Sequence, residues 1–149
     1  MDESSKIKEL DVFLQERCIL FLEKVRSLLK AADFRTHDGK RIEDVVLTEG
    51  LRDIYYQAGL YSIGRSYDRN TRKWNVLDEG QLVTRTLLSK HLQGKAFDIA
   101  MIVNKQTSWP SAQYDLNRKA WLTLAEVGKQ CGLTPGAYFS KPDYPHYEF

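Results

Sequence analysis

The stretch Ser89-Lys90-His91-Leu92-Gln93-Gly94-Lys95-Ala96-Phe97-Asp98-Ile99-Ala100-Met101-Ile102-Val103 decides how the chain is read. From Phe97 to Val103 it is apolar apart from one acid, the pattern of a central strand. A carboxylate at the start of such a strand loses hydration and needs a partner. His91 stands one short turn upstream, and Gly94 between them lets the chain reverse without a side chain crowding whatever the two groups share.

Outward from that strand, other elements declare themselves. Leu10, Phe13, Leu14, Cys18, Phe21, Leu22, Val25, Leu28 and Leu29 recur three and four apart, one face of a helix over Leu10 to Leu29. Ala31 to Arg41 is a connection, and Val45 to Thr48 a short buried strand. A second helix is expected over Asp53 to Ile63, stopped by Gly64. A third is expected over Asp115 to Gln130, with Leu116, Ala120, Leu124 and Val127 on one side and Gly132 as its stop. Arg65 to Gly80 is polar, basic and long enough for a hairpin or a surface loop. Ala137 to Phe139 and His146 to Phe149 read as two short strands around a proline-containing turn. Helices and strands that do not alternate imply an α+β fold: a small, mainly antiparallel sheet with about three helices.

The chain has 149 residues, 42% hydrophobic and 28% charged, with a formal charge of +2. That balance excludes a disordered tail or a fibrous repeat and fits one globular domain, 1–149. Within it, 1–44 forms the first helix and connection and 45–149 the part bearing the motifs. The apolar run Cys18 to Leu22 is far short of the roughly 20 residues that cross a bilayer, so no membrane span is expected. The opening MDESSKIKEL lacks the apolar core of a secretory signal. Basic and acidic residues are interspersed without a stripe, so no nucleic-acid partner is expected. Cys18 and Cys131 fall in helical patterns, as reduced core thiols do.

Two of the three histidines keep company with acids: His91 with Asp98, and His146 with Asp143 in Asp143-Tyr144-Pro145-His146. Catalytic zinc takes three such ligands and leaves a fourth position open, and His91, Asp98 and His146 would make that set. Asp143, stiffened by Pro145, would act as general base in amide hydrolysis. Each pair taken alone also reads as an ordinary hydrogen-bonded His–Asp contact. His37, in Thr36-His37-Asp38-Gly39, reads as a surface turn residue. Of the tryptophans, Trp121 reads as core and Trp109-Pro110 as a groove wall, and Trp74 stands in the basic stretch.

The first segment is S-x-H-x-x-G-x-A-x-D and the last D-x-P-H. By residue frequency, the five fixed positions of the first would arise in fewer than about one chain in ten thousand of this size. With Gly50-Leu51-Arg52, Gln57, Leu60-Tyr61 and Gly64-Arg65 upstream, the chain from about Val45 resembles the zinc D-Ala-D-Ala carboxypeptidase family. This is peptidase M15, which includes VanY- and VanX-like enzymes and phage L-alanyl-D-glutamate endolysins.

The resemblance implies a Hedgehog/D-Ala-D-Ala peptidase-like domain with one Zn2+ on His91, Asp98 and His146, and Asp143 as the catalytic acid/base. It implies that Arg52 stabilises the scissile carbonyl, although a salt bridge to Asp53 or Glu49 is the plainer reading. Ser89 and Gln57 would contact substrate, or else fix the loop and the interior. The implied substrate is the peptidoglycan stem peptide, at the L-alanyl-D-glutamate bond or at D-alanyl-D-alanine. A zinc-binding wall module without catalysis is the third reading. A monomer of the endolysin type is expected, held in the host cytoplasm until a holin-type release and binding the wall through this domain alone. Leu51, where relatives carry Tyr, and Gly136-Ala137-Tyr138-Phe139, where many are Trp-rich, bear on specificity.

Overall fold

The computed structural model describes residues 1–84, 86–108, 114 and 116–149. Its centre is the strand read first from the sequence. β4 (Ala96–Val103) pairs antiparallel with β1 (Asp44–Glu49) on one side and β7 (His146–Glu148) on the other. β7 in turn pairs with β6 (Thr134–Pro135), and β5 (Gln106–Ser108) folds back on the far end of β4. The sheet order β1-β4-β7-β6 with β5 appended is the expected antiparallel α+β arrangement.

Alternation along β4 separates two functions. Phe97, Ile99 and Met101 enter the hydrophobic core, so Asp98 leaves the opposite face. On β7, Tyr147 enters the same core and His146 and Glu148 flank it on the other face. Two helices cover the core side. α2 (Val12–Ala31) buries Leu14, Cys18, Phe21, Leu22, Val25 and Leu29, and α4 (Arg118–Gln130) buries Ala120, Trp121, Leu124 and Ala125. Phe21 packs against Phe97 and Tyr147, with ring centroids 6.0 and 4.6 Å apart. Both cysteines are buried free thiols, and burial pushes the Cys18 thiol up to about 12.

Four α-helices appear among the described residues, one more than the periodicity showed. α1 (Glu3–Lys8) is too short for a periodic pattern to emerge. Asp2 caps it by accepting from Ser5 N–H at 2.7 Å, and Glu3 forks onto Arg26 of α2 with two 2.9 Å bonds. Arg26 also reaches Asp44 at 3.0 Å, tying α1 and α2 to the edge of β1. The long helix therefore begins at Val12, capped by Asp11, and not at Leu10.

α3 (Ile54–Ser62), capped by Asp53, buries only Gln57, which explains its weak apolar periodicity. The Arg65–Gly80 stretch contains a hairpin, β2 (Arg65–Asp68) with β3 (Lys73–Val76), on which Trp74 packs between Tyr61 and Tyr67. Trp121 is core and His37 an exposed turn residue, as expected. Leu116, expected on the buried side of the last helix, precedes α4 and is exposed. Asp115 and the Trp109-Pro110 pair lie outside the described residues. Ala137 to Phe139 is not a strand. Residues Gly136–Tyr138 form a 3-10 turn, because the Gly136 carbonyl accepts from both Phe139 and Asp143 and closes the loop leading into β7.

Candidate active site

Three elements deliver three side chains to one point. Asp98 comes from β4 and His146 from β7, as direct register partners across the ladder. His91 comes from the 3-10 turn Lys90–Gln93, whose N-cap is Ser89. His91 Nε2 and His146 Nδ1 each lie 3.4 Å from Asp98 Oδ1, and the three ligand atoms are within 4.8 Å of one another. Atoms about 2.0–2.1 Å from a tetrahedral ion sit about 3.3–3.4 Å apart, so the two separations from Asp98 match a zinc site, and the nitrogen and oxygen donors suit one.

The outward nitrogens are also committed. His91 Nδ1 is 2.7 Å from the Gly50 carbonyl oxygen, and His146 Nε2 is 2.9 Å from Glu148 Oε1. Each contact points the other ring nitrogen at the cluster. Burial alone would raise the Asp98 pKa, but hydrogen bonds from His146 and His91 hold the carboxyl well below the usual range. The same pairing outweighs burial at His146 and raises it to about 8.

Gly94 does not serve to leave room at the cluster, as its position suggested. It adopts φ +66°, and a Cβ there would meet Asp11 N and Glu9 O at 3.1 Å. Its carbonyl accepts from Asp11 N–H at 2.9 Å, anchoring the histidine-bearing turn to the junction of α1 and α2.

Asp143 stands beside the cluster, its Oδ2 3.9 Å from His146 Nδ1, with 58% of its side-chain surface open to solvent. The surrounding protein and the Asp98 carboxylate push its pKa upward. Gly136 makes this placement possible. A Cβ on it would lie 2.3 Å from the Asp143 carbonyl oxygen and 2.9 Å from His146 Cβ, so only glycine lets the loop pass this close.

Arg52 takes the salt-bridge arrangement with Glu49. Its Nε and Nη2 meet the two Glu49 oxygens at 2.6 and 2.7 Å, and Nη2 lies 3.6 Å from Asp98 Oδ2. Glu49 and Asp98 are register partners on neighbouring strands, and Arg52 offsets the repulsion between them. Arg52 also lines an open groove of about 440 Å³ with Leu51, Asp53, Ile54 and Leu92. A larger hollow of about 660 Å³ on the outer face of α4 holds none of these groups.

Gln57 is fully buried. Its Oε1 accepts from Arg52 Nη1 at 2.7 Å and its Nε2 donates to Thr86 O at 2.7 Å, which gives it the interior role and not a substrate contact. Ser89 fixes the loop, its Oγ accepting from His91 N–H at 3.2 Å. The sequence pointed to Glu49 only as a partner for Arg52 and left Glu148 unassigned. The signals were there: Glu49 stands three residues before Arg52, and His-x-Glu on a strand puts both side chains on one face.

A family model described as D-alanyl-D-alanine carboxypeptidase matches residues 83–149, the part carrying all three clustered residues and Asp143. Over 109 residues the chain is 33% identical to the peptidoglycan L-alanyl-D-glutamate endopeptidase CwlK of Bacillus subtilis (strain 168), covering 70% of this chain. These matches support the M15 peptidase family for this chain. It spans 60% of the length of its relative CwlK. The fold is that of the family as well. The structure of the Serratia marcescens L-Ala D-Glu endopeptidase ChiX superposes with a TM-score of 0.57 at 18% identity, covering 99% of this chain and 85% of ChiX. The α+β class expected from the sequence is thus confirmed.

Proposed function

We propose that this M15 chain is a zinc-dependent peptidase that hydrolyses the L-alanyl-D-glutamate bond of the peptidoglycan stem peptide. The observation that carries the reading is the convergence of His91 Nε2, Asp98 Oδ1 and His146 Nδ1 with an unliganded acid, Asp143, at their edge. A purely structural site has no use for that acid. The similarity to CwlK, itself named for this bond, supports the choice of substrate.

His91, Asp98 and His146 would hold one zinc, whose Lewis acidity would polarise the scissile carbonyl and make water a better nucleophile. Asp143 accepts the proton of the attacking water and returns it to the departing amine. Its exposure to the cleft leaves it within reach of both. Arg52, held on the groove wall by Glu49 and Gln57, places a fixed positive charge where the carbonyl oxygen becomes negative. Ser89 contributes through the cap that sets the His91 turn. The reading is of a monomer of the phage endolysin type, reaching the wall from the host cytoplasm after a holin-type release. No helix among the described residues is long and apolar enough to cross a membrane.

Purified peptidoglycan, incubated with the protein and analysed by mass spectrometry with and without chelator and added zinc, tests this. Chelator-sensitive release of peptides with a new N-terminal D-Glu is expected. Loss of terminal D-Ala would instead establish carboxypeptidase activity, the second reading, which the description of the family model favours. Zinc binding without cleavage would leave the wall-binding module.

A further inference from the structure

The zinc-peptidase reading leaves Glu148 and Lys90 without a task. Glu148 is only 16% exposed, and its two oxygens are both engaged: Oε1 lies 2.9 Å from His146 Nε2, and Oε2 lies 2.7 Å from Lys90 Nζ. Lys90 directly precedes His91, and its ammonium also donates to the Phe149 carbonyl oxygen at 3.3 Å. One ion pair thus links the turn that carries one histidine to the strand that carries the other.

The two histidines are oriented by different means. His91 uses the Gly50 carbonyl, which can only accept and therefore fixes which ring nitrogen carries the proton. His146 uses a carboxylate, which is mobile and is itself a metal ligand by nature. Left free, a second acid next to the cluster would compete for the open coordination position. Here it is held on the Nε2 side of the ring, away from Nδ1 and Asp98, and the ligand cluster does not include it. The Lys90 ammonium offsets its charge and keeps its second oxygen occupied.

We propose that Glu148 is the positioning residue of His146, fixing Nδ1 as the metal-facing nitrogen, and that Lys90 holds Glu148 in that orientation and away from the metal. The inference rests on the zinc-site reading for what His146 binds. It concerns a contact that the reaction itself does not require.

The test is zinc affinity, measured by competition with a chromophoric chelator, for the intact chain and for Glu148→Ala, Glu148→Gln and Lys90→Met, alongside the NMR signal of the His146 Nε2 proton in the zinc-loaded protein. Glu148→Ala should weaken zinc about 10–100-fold and let the Nε2 proton exchange quickly. Glu148→Gln, whose amide oxygen still accepts, should restore most of the affinity and the slow proton. Lys90→Met should fall between them. An affinity within twofold of the parent for Glu148→Ala, or equal losses for Ala and Gln, would overturn the positioning role. Should Glu148→Ala fail to fold, Lys90→Met at an exposed position decides: unchanged affinity and proton exchange overturn the role of the pair. The two readings fail separately. Tight zinc binding without peptide cleavage sinks the peptidase reading alone, unaltered zinc binding in the variants sinks this inference alone, and no zinc binding by the parent chain sinks both.

Discussion

Asp98 and His146 face each other as register partners across β4 and β7, with Asp98 Oδ1 3.4 Å from His146 Nδ1. The ladder itself sets this separation, because directly opposite residues of an antiparallel pair hold their Cβ atoms about 4.5–5.5 Å apart. Two of the three groups proposed to bind zinc are thus placed by backbone hydrogen bonds and not by a loop. Asp98→Asn keeps the shape and removes the charge, so zinc should bind more weakly than in any Glu148 variant while the sheet persists. Chelator competition and circular dichroism on the same sample check both halves.

Asp143→Ala should separate catalysis from metal binding. The side chain is largely exposed and lies outside the three residues proposed to hold zinc, so zinc stoichiometry and the thermal midpoint should stay at parental values. Turnover on peptidoglycan should fall by about 10²–10⁴, the usual contribution of a general base. Cleavage at the parental rate would remove Asp143 from the mechanism.

Gly136→Ala tests whether the close passage of the Asp143–His146 loop is required. A methyl group 2.3 Å from a carbonyl oxygen cannot be accommodated without moving that loop. We expect a loss of about 1–3 kcal/mol in urea unfolding, typical of overpacking, together with weaker zinc binding. Parental stability would show that the loop yields freely.

Gln57→Leu, close to isosteric, should be costly for a different reason. It removes the acceptor of Arg52 Nη1, on a side chain only 9% exposed, a penalty of about 1–3 kcal/mol, while the exposed Thr86 carbonyl keeps its contact with Thr84 Oγ1 at 3.4 Å. Activity should fall while zinc binding changes little, since Gln57 acts on Arg52 and not on the ligands. Unfolding midpoints and steady-state rates read the two effects separately.

Acid sensitivity should involve the anchoring of α1. Burial opposes it, but the hydrogen bonds from Arg26 and from Leu47 N–H lower the Glu3 pKa below its ordinary 4.5. A group depressed on folding stabilises the native state above its unfolded pKa and loses that contribution as pH falls through the folded value. Glu3→Gln should therefore cost on the order of 1 kcal/mol at pH 7, and the difference from the parent should shrink progressively below pH 4.5. Urea titrations at pH 7 and pH 3.5 measure it, and a constant difference would mean that the ion pair contributes nothing.

Much of the fold was legible because its periodicities are strong. The spacing from Leu10 to Leu29 marks α2 except for its start, which the Asp11 cap sets two residues later, and the apolar run after Asp98 marks β4. α1 was not legible, since six residues carry less than two turns and its stability comes from Arg26, 23 positions away in sequence from Glu3. Ala137 to Phe139 has strand-like composition, yet the turn is decided by two hydrogen bonds to the Gly136 carbonyl.

The sequence by itself determined the donor types brought to the site: S-x-H-x-x-G-x-A-x-D and D-x-P-H supply two imidazoles and two carboxylates, whose chemistry each residue carries wherever it is placed. Tertiary structure alone decided what surrounds them. Arg52 meets Glu49 and Gln57, Ser89 caps the His91 turn, Gly94 seats against α1 and α2, and Glu148 stands between His146 and Lys90. Those roles depend on strand register and on distances of a few ångströms between segments tens of residues apart. A hydrogen bond forms or fails within such distances, and no local pattern in the chain encodes them.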